Sequence, residues 1–246
     1  MKRFLQPSFL PCVILGAGGI GILLRTWLLL GGTDDKGLLR SGHPAQILLI
    51  ILTVLVLAVV VFFAKDLVKA PKYSFNYPAS VIGAIGAGVA ALGILITSLA
   101  ELSAGGDTLF TVCAVMGLVC TPILALIALS RWKGYRLNVL LHGFVCFYMM
   151  LHLVCQYRQW SSDPQLMAYC FQLFCQASLV LSVFYRACFD ADMGNRRLLV
   201  ISHLAAVFFG LLSIPGSSDW LYYFSACVWM LTDLCSLQPV MSQRKE

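Results

Sequence analysis

The sequence predicts an all-α membrane protein, a polytopic bundle of eight transmembrane helices, with seven as the alternative, in one domain over residues 1–246. Three observations predict it. Hydrophobic residues make up 60% of the chain and charged residues 11%, with mean hydropathy +0.86, whereas a soluble domain carries about a quarter charged residues. Apolar runs of about 20 residues recur along the chain, the length that crosses ~30 Å of hydrocarbon as a helix. The alternating ~10-residue segments of a transmembrane β-barrel are missing, and only helices or closed barrels satisfy their backbone groups in lipid.

The first span is expected over residues 9–30, FLPCVILGAGGIGILLRTWLLL. Lys2 and Arg3 precede it as in a signal peptide, but the apolar run is too long and lacks a small-x-small exit site. Gly16, Gly18 and Gly21 spell GxGxxG, with Asp34 and Asp35 downstream where a dinucleotide site would place its ribose-binding acid. That fingerprint needs a β-α-β unit, and here another apolar run follows. The glycines read instead as a close helix contact.

The second span, residues 45–64, is β-branched and featureless, as suits a lipid-facing helix. Lys65, Lys69 and Lys72 mark its end, and Pro71 and Pro78 break the connection. The third, residues 80–102, is rich in glycine and alanine; Gly83, Ala87 and Ala91 follow at intervals of four. Such a stripe lets backbones approach, so this helix is expected centrally, touching more than one neighbour. Asp107 is placed to cap the fourth span, residues 108–129, which Pro122 should bend.

The fifth and sixth spans, residues 138–156 and 165–187, form a hairpin joined by the polar cluster QYRQWSSDPQL. Asp163 and Pro164 read as the cap and first turn of the sixth. The other runs are expected to surround this hairpin. The seventh span, residues 198–214, and the eighth, residues 220–237, are separated by the turn Pro215 to Asp219. No loop exceeds about fifteen residues, which leaves no room for a separate catalytic or nucleic-acid domain.

Sidedness follows from the basic residues. With eight spans and the N-terminus inside, 13 of the 17 Lys and Arg fall inside; only Arg25, Lys36, Arg40 and Arg158 fall outside. Both termini are therefore expected in the cytoplasm, in a multi-pass protein of the cell membrane. The net charge of +6 belongs to this topology, with membrane lipid as the partner and no nucleic acid. The ten cysteines lie in or beside apolar runs without a CxxC pair and read as small buried hydrophobes.

Ionisable and amide groups within spans are costly unless they face protein or water, and they sort into two sets. On the fifth span Tyr148, His152 and Gln156 or Gln159 follow helical spacing; on the sixth Gln165, Tyr169, Gln172 and Gln176 do so. Facing stripes of this kind line an outer site. The residues expected to bind a ligand there are Arg158, His152, Gln172, Gln176, Tyr169, Trp160 and Arg25, the ligand being small and polar or anionic. Arg158 either clamps an anion with Arg25 or pairs with Glu101.

On the inner side Asp233 is the costliest residue. His203 or His142 is its expected partner, either in proton coupling or in a stabilising pair. No catalytic residue, metal site or cofactor is expected: the four histidines follow no ligand spacing. The leading function is binding and transport of a small molecule or ion. The alternatives are a non-catalytic partner subunit, with its polar residues all paired internally and the Gly/Ala face of the third span open for docking on another membrane protein, and an enzyme acting on a lipid-type substrate. The absence of repeats and interrupted helices counts against a standard alternating-access carrier.

Overall fold

A computed structural model of the protein describes residues 9–32, 42–65, 67, 70–105, 107–161 and 169–238. The described residues form nine helices: α1 (Phe9–Gly31), α2 (Pro44–Ala64), α3 (Tyr73–Asn76), α4 (Val81–Ala104), α5 (Thr108–Lys133), α6 (Val139–Trp160), α7 (Cys170–Asp190), α8 (Arg196–Ser213) and α9 (Trp220–Cys235). Seven of them are long and apolar enough to cross a membrane. The eighth long helix, α9, has 16 residues, about 24 Å of helix. The molecule is a polytopic helical membrane bundle.

The helix starts are written locally. The side chains of His43, Ser80, Asp107, Asn138 and Asn195 each accept a hydrogen bond from a backbone N–H in the first turn that follows. Each satisfies a donor that the helix itself leaves unpaired. Gly134, at φ 76°, ends α5 in the left-handed conformation that glycine adopts without cost. α5 runs unbroken through Pro122, and next to it the Thr121 hydroxyl bonds the Gly117 carbonyl at 3.1 Å.

Six helices close a ring in the order α4, α5, α6, α7, α8, α9, with α9 returning to α4. α1 lies outside against α8, and α2 packs beside it on both. The hairpin of α6 and α7 is thus one side of the ring rather than its centre. The most enclosed helix is α8, flanked by α7, α9, α1 and α2. Large apolar side chains of α2 such as Ile50, Val54 and Phe62 face outward, as lipid contact requires.

The glycine-rich stripe of α4 is the seam with α9. The two run antiparallel: a Cβ on Gly83 would meet Ser236, on Gly86 Thr232, and on Gly93 Ser225. α4 therefore touches α5 and α9, and its small-residue face is buried rather than open. The GxGxxG run resolves the same way. It lies within a helix, and Gly18 and Gly21 admit Leu211 and Leu212 of α8.

Some boundaries move. α6 continues to Trp160, four residues past the expected end, because the amphipathic face of Gln156 and Trp160 stays buried. α8 begins at Arg196, where the Asn195 cap sets its first turn. The short α3 was not expected; Asn76 Nδ2 closes it by donating to the Ala70 and Lys72 carbonyls, both at 2.8 Å. The Asp163–Pro164 cap and Gln165 lie outside the described residues.

Candidate functional site

Two buried polar networks lie inside the ring, one at each end. The end that gathers the start of α4 and the ends of α5, α7 and α9 carries most of the described Lys and Arg and is here the basic end.

At the basic end α5 brings Arg131, α6 His142, α7 Arg186 and Asp190, α8 His203 and α9 Asp233. All six are buried, from 1% to 5% exposed. Arg186 stands between the two carboxylates: Nη1 is 3.0 Å from Asp190 Oδ1 and Nε is 3.9 Å from Asp233 Oδ2. Arg131 Nε lies 3.7 Å from Asp233 Oδ1, and its Nη2 donates to Ser236 Oγ. Gly83 makes room for that guanidinium, since a Cβ there would stand 3.0 Å from Arg131 Nε.

The connection between α2 and α4 covers this network. Tyr77, 2% exposed, lies between the two guanidiniums, with Arg186 3.8 Å and Arg131 4.7 Å from its ring centre. A cation over an aromatic face is stabilised by the ring quadrupole. The Tyr77 hydroxyl donates to Asp233 Oδ2 at 3.2 Å. Burial first, and then the Asp233 carboxylate, push its phenol well above the ordinary value, so it remains a donor. The segment is tied down from several sides. Ser80 N–H donates to the Arg131 carbonyl, Gln238 N–H to the Asn76 carbonyl, and Arg196 Nη1 to Asn76 Oδ1.

The histidines have different surroundings. His142 Nδ1 approaches Asp190 Oδ2 to 2.6 Å, but Nδ1, Nε2 and Asp190 Oδ2 all lack a well-aligned hydrogen-bond partner among the described residues. His203 Nδ1 is 2.9 Å from the Leu199 carbonyl, and its Nε2 is 3.4 Å from Asp233 Oδ2. Asp233 thus has His203 beside it, whereas His142 sits on Asp190.

At the far end His152 is the hub. Gln176 Nε2 donates to His152 Nδ1 at 2.8 Å, and Tyr222 donates to Gln176 Oε1 at 3.3 Å. The Tyr222 ring stacks on the imidazole at 4.5 Å. Because Nδ1 accepts, Nε2 carries the ring proton and points to Glu101 Oε1, 3.6 Å away. Gln156 Nε2 donates to Asp219 Oδ2 at 2.7 Å. Gln172 Oε1 is buried and has no hydrogen-bond partner among the described residues.

The remaining residues expected to bind a ligand meet other partners. Arg158 pairs with Asp107 at 2.9 Å, both well exposed, rather than with Glu101. Arg25 is buried on α1 with its guanidinium 5.2 Å from the Phe171 ring centre. Trp160 and Tyr169 stack on each other at 5.1 Å. Sequence reasoning missed Tyr77, Arg131, Arg186 and Asp190. Of these only Arg186 and Asp190 carried a signal, an i, i+4 ion pair at the end of an apolar run.

Among the described residues no three His, Cys, Asp or Glu side chains cluster as a metal site, and all ten cysteines are free. Compared with known proteins, the chain matches no family model, no curated protein and no solved structure.

Proposed function

We propose that the protein carries a small polar solute across the membrane, with solute binding at the far-end network and ion or proton exchange at the basic-end network. One observation carries this reading. α6, α7 and α9 each contribute to both networks: His152 and His142, Gln176 and Arg186, Tyr222 and Asp233. A rearrangement of any of these helices at one end must disturb the polar contacts at the other, which is the mechanical requirement of coupled transport. Ionisable groups turned inward in a membrane bundle are costly and commonly mark such pathways.

Gln172 supports the placement of the solute. It lies one turn from Gln176 on α7, and its buried acceptor has no partner, so a donor group on a solute would satisfy it. The partner-subunit alternative called for polar residues paired internally and an open Gly/Ala face on α4; His152 and Gln176 do pair internally, but that face is filled by α9. The basic end is assigned to the cytoplasm by its Lys and Arg.

The test is reconstitution into proteoliposomes holding a pH-sensitive dye. Amino acids, sugars and small carboxylates are added outside, and luminal pH is followed together with uptake of labelled solute. Uptake of at least one solute is expected, reduced tenfold or more by Gln176→Leu. Its proton-linked component should disappear in Asp233→Asn. Absence of uptake across all three classes, with protein shown to be folded in the vesicles, overturns the reading.

A further inference from the structure

The two histidines of the basic end lie against a backbone carbonyl and two carboxylates, which limits where protons sit. A backbone carbonyl is an acceptor, so the 2.9 Å contact from His203 Nδ1 to the Leu199 carbonyl puts a proton on Nδ1. In a neutral imidazole the other nitrogen would then be a bare lone pair. That nitrogen faces Asp233 Oδ2 at 3.4 Å, and two acceptors in a buried site repel. The contact is satisfied only when a further proton lies between them, on His203 or on Asp233.

His142 shows the opposite arrangement. Nδ1 stands 2.6 Å from Asp190 Oδ2 without hydrogen-bond alignment, and at that separation two lone pairs repel unless one proton, taken here to sit on Nδ1, lies on one of the two atoms. With that proton on Nδ1, Nε2 is a buried acceptor with no partner among the described residues. One imidazole faces an acceptor at both nitrogens, the other at one.

The charges that face these groups set how firmly the extra proton is held. Arg131 from α5 and Arg186 from α7 face Asp233, and Arg186 also faces Asp190. Tyr77, from the connection above, supplies a neutral hydroxyl to Asp233. Two guanidiniums already balance two carboxylates. The proton between His203 and Asp233 is the surplus charge of the network, and so the one that can leave without stranding a carboxylate.

From this we infer that His203 and Asp233 together form a proton-binding site, occupied in the described conformation, and that His142 Nε2 is a second, vacant position in the same network. This deepens the transport reading by naming the seat of the exchanged proton, yet it stands on one hydrogen bond and two close contacts and does not require transport to occur.

The experiment is 15N NMR of ring-labelled histidine in the full-length protein in lipid nanodiscs at neutral pH, with infrared detection of protonated carboxyl groups. His203 is expected either as an imidazolium, lost in His203→Gln, or as a neutral ring protonated on Nδ1 accompanied by a carboxyl band lost in Asp233→Asn. His142, identified through His142→Gln, is expected neutral with its proton on Nδ1. A His203 that is neutral with its proton on Nε2 overturns the assignment, as does a His142 protonated on both nitrogens. Should Asp233→Asn fail to fold, the wild-type spectrum and His203→Gln still decide. Because nothing is transported in the measurement, a failed uptake assay and a failed proton assignment remain separate results.

Discussion

The Arg186 guanidinium lies 3.8 Å from the centre of the Tyr77 ring while its Nη1 holds Asp190 at 3.0 Å. One side chain thus fixes the covering connection, the end of its own helix and, through Nε, the Asp233 carboxylate on α9. Removing one partner of a buried ion pair leaves an uncompensated charge and costs about 3–5 kcal/mol. Arg186→Met should therefore lower the thermal unfolding midpoint in detergent steeply. Arg186→Lys should recover only part of the loss, because an ammonium cannot both stack on Tyr77 and reach two carboxylates. A lysine variant as stable as the wild type would show that the planar fork is irrelevant.

Tyr77 separates two contributions. Tyr77→Phe keeps the ring between Arg131 and Arg186 and loses only the hydrogen bond to Asp233, a net loss of about 1 kcal/mol. Tyr77→Leu also removes the aromatic face, a further loss of about 1–2 kcal/mol at a desolvated site. Stability measured by denaturant or heat should fall in the order Tyr, Phe, Leu. Equal stability of the Phe and Leu variants would mean that the stacking contributes nothing.

Much of the bundle was legible because membrane crossing imposes a coarse, repeated signal on composition, and because Asp107 and the run from Pro215 to Asp219 are turn chemistry that acts locally. The two-ended division of polar residues was also legible, since alternating spans decide which side chains share an end. Arg131 and Arg186 hid as topology markers: near a span end, an arginine that anchors at the headgroups and one that turns inward to a carboxylate look alike in sequence. Tyr77 was invisible for another reason. Its role depends on a connection folding back over the ring, held by Asn76, Ser80 and Gln238, and no periodicity records that. Arg158 went to Asp107, a neighbour across the loops, where sequence distance gives no preference over Glu101.

The seam between α4 and α9 makes a graded prediction. A methyl group at Gly86 collides with Thr232, and at Gly93 with Ser225, so Gly86→Ala and Gly93→Ala must push the helices apart. Overpacking of this kind costs about 1–3 kcal/mol. At Gly88 nothing stands within 4 Å of the added carbon, and alanine is the better helix former by up to about 1 kcal/mol. Gly88→Ala should be neutral or stabilising, while Thr232→Ala should partly rescue Gly86→Ala. Equal losses at Gly86 and Gly88 would show that the substitutions act through helix propensity or lipid contact and not through the seam.

Asp192 ties the connection between α7 and α8 to the covering segment, and its effect should depend on pH. Its Oδ1 accepts from the Tyr73 N–H at 2.9 Å and its Oδ2 pairs with Arg136 at 2.8 Å. The backbone hydrogen bond first, and the Arg136 guanidinium with it, hold the Asp192 carboxyl below the usual carboxylate range. A carboxyl with a depressed folded value contributes stability that is fully present above its unfolded value, about 3.9, and that fades as pH falls through the folded value. The unfolding midpoint of the wild type should exceed that of Asp192→Ala near neutral pH. The gap should narrow below about pH 4 as the carboxylate takes up its proton and its contact with Arg136 weakens. Added salt at neutral pH should narrow it too, because the pair with Arg136 is exposed and screened. A gap that stays constant from neutral to acid conditions would assign the effect to the left-handed backbone at φ 57° instead of the charge.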